Sequence, residues 1–144
     1  MYIEHVVRIT DEIFQALVKM IPYIDPQKAP PTREEMISLV ESKSSTLWMA
    51  KYPDQNGEIA GFLTIAIYRV PTGLRSIVED VVVEPAFRRR GVARALLHSA
   101  IEFARAAGAG GVAMTSNPRR EAANQLYMSL GFEQRETNSY YYRL

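Results

Sequence analysis

The stretch Val81-Val82-Val83-Glu84-Pro85-Ala86-Phe87-Arg88-Arg89-Arg90-Gly91-Val92-Ala93-Arg94 holds the residues whose types and spacing most directly suggest chemistry. An apolar strand leads into a short basic turn, and the turn leads into an amphipathic helix. The first amides of a helix have no intrahelical partners, and the helix dipole adds partial positive charge there. Gly91 and the small Ala93 let a bulky anion come close to the backbone. Arg88, Arg89, Arg90 and Arg94 supply fixed charge and forked donors. Together these features make a pyrophosphate cradle. Taken in isolation, the same residues also spell a basic loop closed by a glycine, or a small nucleic-acid patch.

Composition removes other chemistries. The chain of 144 residues has no cysteine, which excludes thiol nucleophiles, thiolate metal sites and redox pairs. His5 and His98 are too far apart for a helical two-histidine zinc motif, so no metal site is expected. A formal net charge of +1 argues against a generally basic nucleic-acid binder. No apolar run approaches the roughly 18 residues of a membrane span. The residues Met1-Tyr2-Ile3-Glu4-His5 lack the basic lead and apolar core of a signal peptide. The expectation is a cytoplasmic protein that binds neither membrane nor nucleic acid.

The length suits one domain over residues 1–144. Residues 2–9 read as a first strand. Thr10 or Asp11 caps a helix carrying Ile13, Phe14, Leu17, Val18 and Ile21, which Pro22 is expected to end. After a proline-rich loop, Thr32 and Glu35 form a capping-box pattern ahead of a short second helix. Residues 46–52, 58–70 and 75–84 read as three strands joined by Pro53-Asp54-Gln55-Asn56-Gly57 and Pro71-Thr72-Gly73, an antiparallel meander. Residues 91–107 carry a helical stripe stopped by Gly108, and 111–115 form a short strand, so one βαβ crossover adds a parallel pair. Asn117-Pro118 reads as the start of a last helix whose inner stripe is Ala122, Ala123, Leu126, Tyr127 and Leu130. Residues 132–144 are expected to supply one or two final strands, with Tyr140, Tyr141 and Tyr142 on alternating faces, lining an acceptor pocket or a dimer seam.

Two segments resemble known motifs. Ile77-Val78-Glu79-Asp80-Val81-Val82-Val83-Glu84-Pro85 running into Arg88-x-x-Gly91-x-Ala93 resembles motif A of the GNAT family of N-acetyltransferases. Ala122-Ala123-Asn124-Gln125-Leu126-Tyr127-Met128-Ser129-Leu130-Gly131-Phe132 looks like motif B of the same family. The motifs appear in the family's order and separation, and the element order matches over nearly the whole chain. The fold class implied is α/β: a single-domain, mixed, mostly antiparallel sheet flanked by helices and splayed at its central strands.

The resemblance implies acetyl-CoA as donor, bound as cosubstrate, and a primary amine as acceptor. By analogy the backbone of Val81, Val82 and Val83 pairs with the pantetheine arm like an added strand. The amides of Arg89, Arg90, Gly91, Val92, Ala93 and Arg94 hold the pyrophosphate, and Asn124 contacts the cofactor. Tyr127 occupies the position where the family often places a proton donor for the leaving thiolate; periodicity alone makes it a core aromatic. An alkylammonium with a pKa near 10 must lose a proton before it attacks a thioester. Glu79, in an otherwise apolar strand just before the cofactor segment, is the first candidate to take that proton, with Asp80 behind it. Alternation puts the two on opposite faces unless a bulge intervenes. Either carboxylate could instead position the amine or bind an arginine.

The expected activity is acetyl transfer to a small-molecule amine by direct attack in a ternary complex. A protein N-terminus or lysine is the next acceptor class, and a non-catalytic acyl-CoA-binding module or a nucleic-acid binder are readings from other classes. Trp48 and Tyr23 are expected either to shape the acceptor side or to be ordinary packing. A homodimer is compatible with all of these.

Overall fold

The computed structural model describes residues 1–144. Its strands β1 (Tyr2–His5), β2 (Ser45–Tyr52), β3 (Glu58–Val70), β4 (Gly73–Val83) and β5 (Val112–Met114) form one sheet in that order. The first three pairings are antiparallel and β4 with β5 is parallel. Helices α1 (Asp11–Ile24), α2 (Arg33–Glu41), α3 (Val92–Ala106) and α4 (Glu121–Ser129) flank it. The expected meander and the crossover are both present.

Local chemistry starts the first two helices. The Thr10 hydroxyl accepts the Ile13 amide at 3.2 Å. Thr32 and Glu35 form the reciprocal capping box, with Thr32 accepting the Glu35 amide and the Glu35 carboxylate accepting the Thr32 amide. The sheet then separates two apolar layers. On one face Ile13, Leu17 and Met20 of α1 pack with Leu47, Met49, Phe62 and Val82. On the other, Val92, Leu96, Leu97, Ala100 and Ala104 of α3 pack with Leu63, Ile65 and Val78.

Several expectations are corrected. Strand β1 stops at His5, although the Val6 amide still bonds the Leu47 carbonyl at 2.9 Å. Helix α1 runs through Pro22 to Ile24, because a proline in the last turn forfeits one ladder bond while the Asp25 amide still bonds Ile21. Helix α4 begins at Glu121, since the Asn117 side chain accepts the Arg119 amide and folds residues 117–120 into a separate turn. Residues 133–144 form no strand. The run Glu133-Gln134-Arg135-Glu136-Thr137-Asn138-Ser139 offers no apolar face to bury, and Tyr140, Tyr141 and Tyr142 are 87–89% exposed.

The feature that positions the site is a parting of β4 from β5. They pair only through Ser76, Ile77 and Val78 against Val112, Ala113 and Met114. From Glu79 onward β4 has a strand partner on the β3 side alone. At this point β4 also bulges: Val82 faces Phe62 and Glu79 faces Thr64, so Asp80 and Val81 share one partner residue. Asp80 accordingly has a positive φ of 46°. The bulge resets the alternation, so Val82 joins the α1 layer while Val81 and Val83 pack towards α3.

Gly61 holds β3 close to this segment. A Cβ there would lie 2.5 Å from the Val82 carbonyl oxygen. Gly61→Ala is therefore expected to destabilise the domain by about 1–3 kcal/mol through backbone displacement. A urea midpoint equal to that of the parent would show that β3 and β4 can separate freely here.

Candidate active site

The divergence of β4 and β5 opens a cleft of about 870 Å³. Val81, Val82 and Val83 line one wall, and Gly91, Val92, Ala93 and Arg94 contribute from the start of α3. Leu126 and Tyr127 of α4 line it as well. Val82 and Val83 use one backbone edge to pair with β3, Val81 sits in the bulge beside them, and the other edge of all three has no strand beside it.

The start of α3 leaves its first amides without protein partners. Gly91 is its N-cap in the left-handed conformation, with φ 80° and ψ 7°, and no side chain caps the helix. The first inward bond is from the Ala95 amide to the Gly91 carbonyl, at 3.0 Å. The amides of Val92, Ala93 and Arg94 thus lie before the hydrogen-bonded ladder begins. Arg89 also has a positive φ, 61°, so two left-handed residues bracket Arg90 in the turn. Successive amides in such turns form an anion-binding concavity. A Cβ built on Gly91 meets nothing within 4 Å, which leaves open space above the turn. These residues fit a pyrophosphate.

The four arginines have different surroundings. Arg88 donates from Nε to the Val83 carbonyl at 3.3 Å and stands 5.8 Å from the Tyr23 ring. Arg89 is exposed and lines the cleft. Arg90 is outside the lining and lies over the Tyr52 ring at 5.3 Å. Arg94 lines the cleft and donates to the Ser129 hydroxyl at 2.7 Å.

Tyr127 is half-buried, and burial pushes its phenol above the ordinary 10.0, with Arg120 pulling weakly the other way. Its ring meets Phe132 edge-on at 6.2 Å. Glu79 and Asp80 are exposed and stand where the strands part, outside the cleft lining itself. Asn124 is also outside the lining; its amide donates to the Asn117 carbonyl at 3.0 Å and holds the turn that precedes α4. Trp48 is outside the cleft lining: it packs edge-on against Phe103 at 5.7 Å and beside His5 at 5.8 Å. Tyr23, by contrast, lines the cleft.

Three charged residues in the cleft were not anticipated. Arg119 and Arg120, just ahead of α4, and Glu121, its first residue, line it. Their adjacency to the second motif was the available signal. Nearby, Lys19 of α1 reaches the buried Glu84 carboxylate at 3.1 Å and ties α1 to the turn after β4. The Glu84 hydrogen bond and its charge raise the ammonium above its ordinary 10.5. The contribution of this contact to stability is therefore complete below about pH 10.5 and lost as pH rises through the folded value.

Residues 10–132 match the family model described as the acetyltransferase (GNAT) family. An uncharacterized N-acetyltransferase of Methanocaldococcus jannaschii is 36% identical over 59 residues, which is 41% of this chain and 26% of that protein. The chain spans less than half the length of each curated relative it matches. Among solved structures, a putative acetyltransferase from Agrobacterium tumefaciens superposes with a TM-score of 0.83 at 21% identity, covering 99% of this chain and 100% of that one. An aminoglycoside acetyltransferase from an uncultured soil metagenomic sample, solved with trehalose, superposes with a TM-score of 0.84 at 18% identity, over 99% and 95% of the two chains. Those likenesses establish the fold, and the family match over most of the sequence establishes that the chain belongs to the GNAT family of acetyltransferases.

Proposed function

We propose that this chain is an acetyl-CoA-dependent N-acetyltransferase acting on the primary amine of a small molecule by direct transfer in a ternary complex. One observation carries the proposal. The unpaired edge of Val81, Val82 and Val83 and the uncapped start of α3 share one cleft. A donor with an amide-bearing arm and a pyrophosphate satisfies both at once. When bound, acetyl-CoA supplies the thioester.

The roles of the chain's own residues follow. The Val81–Val83 backbone aligns the arm, and the Val92, Ala93 and Arg94 amides with Arg89 neutralise the pyrophosphate. Glu79, at the mouth of the strand divergence, removes the proton from the incoming ammonium, directly or through water. The amine nitrogen forms the new bond to the acetyl carbon as the carbon–sulfur bond breaks. The Tyr127 hydroxyl gives its proton to the departing sulfur, and solvent returns one to the phenolate. The absence of cysteine leaves the chain no thiol on which to carry an acetyl group. The two carboxylates where the strands part favour a cationic acceptor, and the aminoglycoside acetyltransferase of the same fold supports a small-molecule one.

The test is release of CoA from acetyl-CoA across a panel of polyamines, amino sugars, amino acids and lysine-containing peptides. Turnover on a small amine is the expected result. Tight CoA binding with no turnover on any amine would make the chain a binding module. For the base, Glu79→Gln is expected to lower kcat/KM by roughly 10²-fold and to move its acidic limb. An unaltered pH profile would pass the role to Asp80 or to water.

A further inference from the structure

Helix α4 carries Tyr127 but is weakly anchored. It has nine residues, none of them buried. A helix that short is marginal on its own. Leu126, Tyr127 and Leu130 rest against the α3 layer from its margin, and the Asn124 bond to Asn117 stays within the local turn. The polar tie from α4 to the rest of the domain is Arg94, from the first turn of α3. Its Nη2 donates to Ser129 Oγ at 2.7 Å, and Ser129 Oγ donates in turn to the Leu126 carbonyl at 2.7 Å. The hydroxyl hydrogen is thereby committed, and the relay ends on the residue next to Tyr127.

From this relay we infer that Arg94 and Ser129 are positioning residues for Tyr127, and that they couple occupancy of the pyrophosphate cradle to the placement of the proton donor. The guanidinium has five donors in a rigid fork. One is used on Ser129, and Arg94 also lines the cleft, so others remain for phosphate oxygens. A phosphate that fixes the guanidinium from the cradle side fixes the Ser129 end of α4 from the other. The donor phenol is then held more firmly when the donor substrate is present. This inference rests on the proton-donor role given to Tyr127.

The test combines kinetics with amide hydrogen exchange on the full chain. Ser129→Ala removes the acceptor and leaves Arg94 free for phosphate. It is expected to lower kcat by about 10-fold to 100-fold, as small misplacements of a reacting group do, while the acetyl-CoA dissociation constant stays within about twofold because the arginine is intact. In the parent protein, CoA is expected to slow exchange across residues 121–130, and Ser129→Ala to abolish that protection although CoA still binds. Ser129→Thr, which keeps the hydroxyl, is expected to restore both. Unchanged kcat together with unchanged exchange in Ser129→Ala overturns the coupling. So does a loss of CoA affinity that accounts for the whole kinetic defect. If Tyr127→Phe retains full kcat, the donor role itself fails, and the exchange measurement still decides whether α4 is coupled to the cradle.

Discussion

Gly91→Glu is expected to abolish measurable acetyl-CoA binding while the domain remains folded. Gly91 is exposed and has φ 80°. A side chain in the left-handed region costs about 1–2 kcal/mol, a minor part of the roughly 5–15 kcal/mol that holds a domain together. No atom lies within 4 Å of the added Cβ, so packing adds nothing to that cost. The glutamate carboxylate would instead stand in the open space above the α3 start, where a pyrophosphate approaches. Like charges so placed cost several kcal/mol, which is a loss of about 100-fold or more in affinity. Gly91→Ala separates the two effects: it carries the backbone cost without the charge and is expected to retain most of the affinity. Titration calorimetry with a urea melt on each variant makes the comparison. Unchanged affinity in Gly91→Glu would remove the pyrophosphate from this turn.

Tyr127→Phe is expected to lower kcat by about 10²-fold, within the usual contribution of a positioned acid. Acetyl-CoA affinity should change little, because the ring and its edge contact with Phe132 are kept. Burial raises the phenol above 10.0, so it remains a donor through pH 9 and 10. In the parent protein the loss of kcat caused by phenol ionisation is therefore displaced to higher pH than for an ordinary phenol, and the phenylalanine variant lacks that limb. The linked effect on stability has the same sign. The neutral phenol is favoured in the folded state, and its contribution fades as pH rises from 10.0 through the folded value. A variant with parental kcat and an intact alkaline limb would return Tyr127 to the role of a packing aromatic.

The basic turn and the uncapped start of α3 were legible because their ingredients are contiguous. Strand, basic turn, left-handed glycine and helix start lie within residues 81–94, and the capping box of α2 is equally local. What stayed open depended on partners distant in the chain. Whether Glu79 and Asp80 share a face is decided by how β4 registers on Phe62 and Thr64, and a bulge there cannot be read from β4 alone. Arg119 and Arg120 enter the cleft because Asn117 folds its own turn and delays α4 to Glu121. Arg94 was assigned to phosphate from its place in the motif, while its bond to Ser129 spans 35 positions and leaves no local pattern. The terminal tyrosines have the composition of a strand, but β propensity describes fit to a neighbouring surface, and these residues have none.

The bare edge of β4 also has a meaning for the life of the protein between catalytic cycles. Three consecutive valines with one side of their backbone unpaired form the kind of template on which another extended chain can add itself. The recess between the diverging strands and the arginines that follow at its mouth restrict such approach, acting as gatekeepers of the sort that flank unavoidable sticky strands. The donor proposed for the cleft would occupy this edge while bound. Depletion of donor should therefore show in the cell as a loss of soluble protein as well as of activity, and purification with CoA present should suppress aggregation.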